Sequence, residues 1–292
     1  MPKLVSIVLP TYNRAALLPG AIESCLRQTY EELEVIVVDD GSTDGTPEVV
    51  SAFECQDSRV RYLRQTNQKL PAALNTGFRA SRGEFLTWSS DDNRFHPDAI
   101  QIMVEALEHS PDVGLVYCGY ELVDAEGNVL QRIRAPGPET LAVVDNVFCF
   151  LYRRVVYEVI GEYDPHWLYV EDYDYWLRTQ KQFKIAHLPD VHPYSYMTHP
   201  GSLGSQLGSP FQKALTARLQ IHHASTRIGK LRILSGAPAQ VAEAYARQGD
   251  GGRAVFGCLL YILFKPWRGY RWRRALEILR PTASPVPGPS AS

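Results

Sequence analysis

No CxxC pair and no regular cysteine spacing occur in these 292 residues; Cys25, Cys55, Cys118, Cys149 and Cys258 are scattered. An odd number at irregular separations argues against a zinc site or a disulfide framework, and for reduced thiols in a cytoplasmic protein. A strong charge of one sign is missing too: the net charge is −2, so no global basic field recruits nucleic acid. The longest apolar run, Ala254 to Phe264, is too short to span a bilayer. No signal-peptide pattern precedes the apolar stretch that begins at Leu4. Neither GxGxxG nor GxxxxGK followed by Ser or Thr comes after that stretch, which removes the dinucleotide fingerprint and the P-loop. What remains is 45% hydrophobic and 21% charged, an ordinary globular balance. The length suits one large domain, or one domain with a small appendage.

The apolar pattern alternates in type along the chain. Leu4–Leu9, Leu33–Val38, Val60–Leu63, Phe85–Trp88 and Val113–Cys118 read as short strands. Between them, helical spacing is expected after Arg14, after Pro47, over Ala72–Ala80 and over Asp98–Leu107. Strands alternating with helices of this length predict parallel βαβ units wound into one α/β sheet. After Tyr117 the pattern loosens: a hairpin turn over Val123–Val129, an apolar strand over Val147–Tyr152, and an acidic, aromatic helix opened by Tyr169–Leu177. Lys184–Leu188 is expected to end the sheet. Helices are expected over Phe211–Ile228, Ala237–Arg247 and Gly251–Phe264, and a disordered Pro/Ser/Ala-rich tail from Pro281.

Acidic groups stand where the strands end. Asp39 and Asp40 follow the second strand, and Asp91 and Asp92 follow the fourth. A parallel sheet collects such ends along one rim, where ligands gather. Two adjacent carboxylates repel unless a cation lies beside them, and a hard divalent ion brings oxygen ligands such as phosphate. Thr11 and Tyr12 add a hydroxyl and an aromatic face after the first strand, so the rim predicts a nucleoside site with a cation on the diphosphate. The competing reading of each acidic pair is a polar turn, since Asp and Asn favour turns.

Ser6-Ile7-Val8-Leu9-Pro10-Thr11-Tyr12-Asn13-Arg14, Val37-Val38-Asp39-Asp40-Gly41-Ser42-Thr43-Asp44, Asn75-Thr76-Gly77 and Ser90-Asp91-Asp92-Asn93 occur in an order and spacing that resemble a family 2 glycosyltransferase. The likeness covers roughly the first two hundred residues and is strongest to the SpsA-like bacterial members, with Asp-Asp-Asn in place of Asp-Ala-Asp. It implies a GT-A fold, with a mostly parallel central sheet flanked by helices and a C-terminal helical appendage. Residues 1–208 would be catalytic, nucleotide-binding over 1–112 and acceptor-binding over 113–208, followed by helices over 209–280 and a tail over 281–292.

The same resemblance implies inverting transfer from a nucleotide-diphosphate sugar to an acceptor hydroxyl, with Mn²⁺ or Mg²⁺. Tyr12 would stack on the base, Asp40 would accept its N–H, and the Pro10-Thr11 backbone would line that pocket. Asp91 would hold the ribose, and Asp92 would ligate the metal. In Tyr169-Val170-Glu171-Asp172-Tyr173-Asp174, Asp172 would be the catalytic base, with Glu171 on sugar or acceptor hydroxyls. Such acids equally favour a helix N-terminus for its dipole alone. His199 would complete the metal shell or touch the diphosphate, and Lys69 would meet base or phosphate. The chain departs from the family pattern where Ala73-Leu74-Asn75 lacks an arginine and where Asn93 replaces a third acid. The Asp40 contact favours UDP or dTDP over GDP.

Further on, Lys265, Arg268, Arg271, Arg273 and Arg274 interleave with Trp267 and Trp272. This composition suits peripheral contact with the anionic inner face of the plasma membrane, where lipid-linked glycan acceptors would lie, or a packed helix with a solvated basic face. The expected role is cell-envelope polysaccharide or glycan assembly. A nucleotidyltransferase would need a glycine-rich phosphate loop in place of Pro10-Thr11-Tyr12-Asn13. A sugar-binding module without catalysis would have no use for Asp92 together with Asp172.

Overall fold

The computed structural model describes residues 2–138, 147–199 and 210–223. The chain divides into two compact units, Met1–Ser205 and Gln206–Ser292. In the first unit β1 (Val5–Thr11) and β2 (Leu33–Asp39) are buried at every position, as strands covered by helices on both faces must be. β3 (Val60–Arg64) and β4 (Phe85–Trp88) complete the parallel set around β1. The connections are α1 (Leu18–Leu26), α2 (Thr46–Gln56) and α3 (Leu70–Ala80). Gly77 lets α3 press onto the sheet, since a Cβ there would collide with Val8.

The chain continues through β5 (Arg94–Phe95), α4 (Ala99–His109), β6 (Val113–Cys118), β7 (Tyr120–Val123) and β8 (Val129–Ile133). After β9 (Cys149–Arg153) come α5 (Arg154–Ile160), α6 (Glu171–Thr179), β10 (Lys184–Leu188) and β11 (Tyr194–Met197). A seven-stranded sheet runs in the order β10-β6-β9-β4-β1-β2-β3. The chain leaves β1 towards β2 and β3 on one side, then returns through α3 to β4 on the other. That reversal opens a crevice beyond the carboxyl ends of β1 and β4.

Two features depart from the single parallel sheet expected of the sequence. β9 runs antiparallel to both β4 and β6, because an apolar, wholly buried run carries no mark of direction. Lys184–Leu188 is the edge strand β10 of the seven-stranded sheet, as expected, but β5, β11, β7 and β8 form a second, four-stranded sheet. The expected hairpin turn joins β7 to β8, with Gly127 at φ +86°. Cys25, Cys118 and Cys149 are buried thiols, and Cys55 is an exposed one.

A single buried charge braces the far end of the sheet. Glu34 on β2 accepts from Ser6 Oγ at 2.7 Å, Arg61 Nη1 at 2.9 Å and the Arg82 backbone N–H at 2.7 Å. These bonds hold its carboxyl below the ordinary range against the cost of burial.

In the second unit α7 spans Pro210–His223, with Ala217 and Leu219 buried. The expected helices over 237–247 and 251–264, the basic tryptophan-rich stretch and the tail lie outside the described residues. Among the described residues no helix is long and apolar enough to cross a membrane.

Candidate active site

Pro10, Thr11, Tyr12, Asp40, Lys69, Asp91 and Asp92 line one cleft of about 330 Å³ at the β1/β4 crevice. The loop after β1 is latched to the loop after β2. Asn13 Oδ1 accepts from the Thr43 N–H at 2.7 Å, and the Asn13 N–H donates to Ser42 Oγ at 2.9 Å. The Ala15 N–H donates to Asp44 Oδ2 at 3.1 Å. Asn13 takes φ +54°, a left-handed conformation that Asn tolerates better than most residues, and Tyr12 beside it stays 46% exposed on the cleft rim. The Thr-Tyr-Asn-Arg and Gly-Ser-Thr-Asp segments are therefore one hydrogen-bonded turn assembly that presents an aromatic face.

The two acids after β2 have separate duties. Asp39 is fully buried and accepts from the Ser42 N–H at 2.7 Å and Tyr62 Oη at 2.8 Å, so it braces the turn from inside. Asp40 reaches the cleft and gathers the segment before α3. Its Oδ1 accepts from Gln65 Nε2 and the Gln68 N–H, and its Oδ2 from the Lys69 N–H, each at 2.8 Å. Lys69 is held at φ +74° by that last bond.

The acids after β4 differ in the same way. Thr11 Oγ1 donates to Asp91 Oδ2 at 2.7 Å, tying β1 to β4 across the crevice. Burial raises the Asp91 carboxyl from 3.8 to about 7; the Thr11 bond opposes the rise and the neighbouring Asp92 adds to it. Asp92 is buried, and its Oδ2 lies 3.0 Å from His199 Nε2. The adjoining Asn93 accepts from the Met197 N–H at 2.9 Å, which fixes the end of β11 against the acidic pair and brings His199 within reach.

The remaining wall comes from Leu168, Tyr169 and Tyr196. Glu171 and Asp172 open α6 immediately after that wall. Asp172 Oδ1 accepts from the Tyr173 N–H at 2.7 Å. Burial pushes the Tyr196 hydroxyl well up, and the charge of Asp92, the neighbouring Tyr120 and the charge of Asp172 add to the rise. The segment leading into α6 is pinned by Asn75, whose Nδ2 donates to the Tyr163 carbonyl and whose Oδ1 accepts from the Tyr163 N–H, each at 2.8 Å. Trp88 Nε1 donates to Tyr163 Oη at 3.1 Å, linking that segment to the strand that carries Asp91 and Asp92.

Residues 6–170 match the sequence profile described as glycosyl transferase family 2. The chain belongs to this family. An uncharacterized glycosyltransferase of Rickettsia prowazekii is 32% identical over 188 residues, which cover 60% of this chain and 58% of that protein. The chain thus spans just over half of that relative's length. Staphylococcus aureus TarS 1–349 in complex with UDP-GlcNAc superposes with a TM-score of 0.67 at 15% identity, covering 94% of this chain and 89% of the other. The Pyrobaculum calidifontis mannosyltransferase PcManGT, in complex with GDP-Man and Mn²⁺, superposes with a TM-score of 0.59 at 18% identity, covering 96% and 86%. At these identities the two structures establish the GT-A fold for this family 2 member, and nothing finer.

Sequence reasoning did not assign Tyr196, Asn67 or Arg14 to the cleft wall. Arg14 is the last residue of the first motif, and its charge opposes the rise at Asp91. Tyr196 lies in the segment that leads to His199, but its place at the cleft was hidden because it arrives on a second sheet that the apolar pattern does not announce.

Proposed function

We propose that this family 2 member is a metal-dependent inverting glycosyltransferase that moves a sugar from a UDP- or dTDP-linked donor to an acceptor hydroxyl. The observation that carries the reading is the make-up of the cleft: Tyr12, Asp40, Asp91 and Asp92 line it, Asp92 is paired with His199, and the wall of Leu168 and Tyr169 leads into α6, whose first turn bears Asp172. Fold likeness to TarS with UDP-GlcNAc and to PcManGT with GDP-Man and Mn²⁺ supports a nucleotide-sugar donor.

Among the described residues no set of three His, Cys, Asp or Glu side chains is poised as a closed metal site. That fits an ion which arrives with its substrate, because Mg²⁺-type ions are held by one or two carboxylates while phosphate and water supply the rest. Asp92 would give a carboxylate oxygen and His199 an imidazole nitrogen, a mixed set that suits Mn²⁺. When bound, the ion neutralises charge on the departing diphosphate. Tyr12 stacks on the base, with Pro10 and Thr11 lining its edge and Asp40 offering a carboxylate lone pair to an imide N–H. Asp91 accepts from the ribose, and Lys69 approaches the base or phosphate. Asp172 takes the proton of the acceptor hydroxyl as that oxygen attacks the anomeric carbon from the face opposite the leaving group.

The acceptor class proposed is a glycan or lipid-linked glycan of the cell envelope, reached from the cytoplasmic side. Calorimetric titration of UDP, dTDP and GDP, each with Mn²⁺ and with EDTA, tests the reading on wild type and Asp92→Ala. One nucleotide that binds only with metal, and is lost in the variant, is the expected result. Equal binding of all three in EDTA, or no binding at all, would overturn it.

A further inference from the structure

The turn before α6 has a tyrosine in a conformation that tyrosine avoids. Tyr169 stands at φ +76°, where a bulky side chain costs about 1–2 kcal/mol relative to the ordinary region. Such strain persists only where the surroundings over-determine it. Here they do. The Tyr163 backbone is clamped by Asn75, and the Trp167 N–H donates to the Asp164 carbonyl at 3.1 Å. The Val170 N–H donates to the Trp167 carbonyl at 2.9 Å.

Glu171 follows the turn. Its side chain is buried at 4% exposure. Oε2 has no hydrogen-bond partner. Glu171 is therefore turned into the protein and does not line the cleft. The ring that this arrangement projects into the cleft remains 37% exposed.

We propose that Tyr169 is a stacking platform for a pyranose ring, held at the cleft wall by the clamped turn before α6. The proposal rests on the glycosyltransferase reading and deepens it. A pyranose has an apolar face of C–H groups that packs on an aromatic ring, and its hydroxyls stay at the edge for polar groups. The neighbouring Asp172 would meet one of those hydroxyls, or the anomeric centre, at the edge of the platform. Two sources present the same chemistry: the donor's own sugar and the acceptor's terminal residue.

The strain supplies the discriminating variant. Glycine adopts φ +76° freely, so Tyr169→Gly deletes the ring while relieving the backbone and melts no lower than wild type. Tyr169→Phe keeps the face. In the donor arm, Kd is measured for UDP and for UDP-GlcNAc and UDP-glucose, with Mn²⁺, on all three proteins. In the acceptor arm, saturation-transfer NMR reads methyl β-glucoside, methyl α-mannoside and methyl β-N-acetylglucosaminide in the presence of UDP and Mn²⁺.

The glycine variant is expected to weaken sugar binding about 3- to 10-fold in one arm, the scale of a single aromatic packing pair. UDP itself should stay within about twofold and the phenylalanine variant close to wild type. The arm that responds identifies the source. If wild type binds UDP but the glycine variant retains sugar in both arms, or if wild type holds no sugar in either, the platform fails alone. An equal loss of UDP in the glycine variant also sinks it. If wild type binds no nucleotide, the transferase reading has failed first.

Discussion

The rim of β1 and β2 and the entrance to α6 face one cleft, yet they are built on opposite terms. On the rim every acid has its donors: Asp39 and Asp40 between them take five hydrogen bonds of 2.7–2.8 Å from their own chain. At the entrance, Glu171 keeps a buried oxygen without a partner and Tyr169 sits in a strained backbone conformation. A buried unmade hydrogen bond costs about 1–3 kcal/mol, so the contrast is energetic. The rim is a preformed seat that offers an exposed ring and residual lone pairs. The entrance holds its residues against their preferences, and such sites are where a reaction's geometry is kept.

Substitutions on the two sides should therefore fail differently. The largest effect is expected at the entrance. Asp172→Asn removes the proposed base and should lower the transfer rate about 10²- to 10⁴-fold, the usual scale of general-base catalysis. Nucleotide affinity should be within twofold of wild type. A variant that loses affinity and rate together would place Asp172 in donor binding instead. Next comes Asp92→Ala, which breaks the pair with His199. Nucleotide affinity in Mn²⁺ should fall about 10- to 100-fold, the range seen when a metal site loses support, and the EDTA value should stay unchanged.

Much of the rim was legible beforehand because its chemistry is local in sequence. Asp39-Asp40 and Asp91-Asp92 end apolar runs, and a parallel sheet puts such ends side by side. The pairing of Asp92 with His199 joins residues far apart in sequence, and only the family resemblance suggested it. The direction of β9 and the second sheet were not legible. Cys149–Arg153 is apolar on both faces whichever way it runs, and β5 is only two residues long. The roles within the acidic pairs were also hidden. Asp39 and Asp40 are identical in type, and only the structure shows one turned inward to Tyr62 and the other towards the Gln65–Lys69 segment. Glu171 is a further instance: adjacency to Asp172 says nothing of which way a helix turns each side chain.

Asp40→Ala sharpens the comparison from the rim. It strips the acceptor from Gln65 Nε2 and from the Gln68 and Lys69 backbone N–H groups. The loss should be about 3 kcal/mol, since bonds to a charged acceptor are worth about 1.5–3 kcal/mol each and water recovers part of them. For a unit of this size that lowers Tm by about 6–12 °C. Base recognition would suffer with it, because the loss frees the Lys69 backbone from φ +74°. If Tm is unmoved while nucleotide affinity falls, Asp40 serves the base alone and the rim is less preformed than its bonds indicate.

The smallest effect is expected from Glu171→Gln, and its sign separates a buried acid from an exposed one. Burial raises this carboxyl from 4.5 to about 7, against the opposing pull of the Glu171 and Tyr169 backbone N–H groups. Between those values the folded protein keeps a proton that the unfolded chain has released. Its contribution to stability is therefore fully present below about pH 4.5, declines as pH rises towards about 7, and is level above that. Glutamine cannot ionise, yet it keeps the shape of the side chain. The Tm of the variant minus that of wild type should accordingly grow in the variant's favour from about pH 4.5 to about 7.5. Taking the difference cancels the other titrating groups that both proteins share. A flat difference would mean that Glu171 is ionised and solvated in the folded state, and the entrance to α6 would then be as well satisfied as the rim.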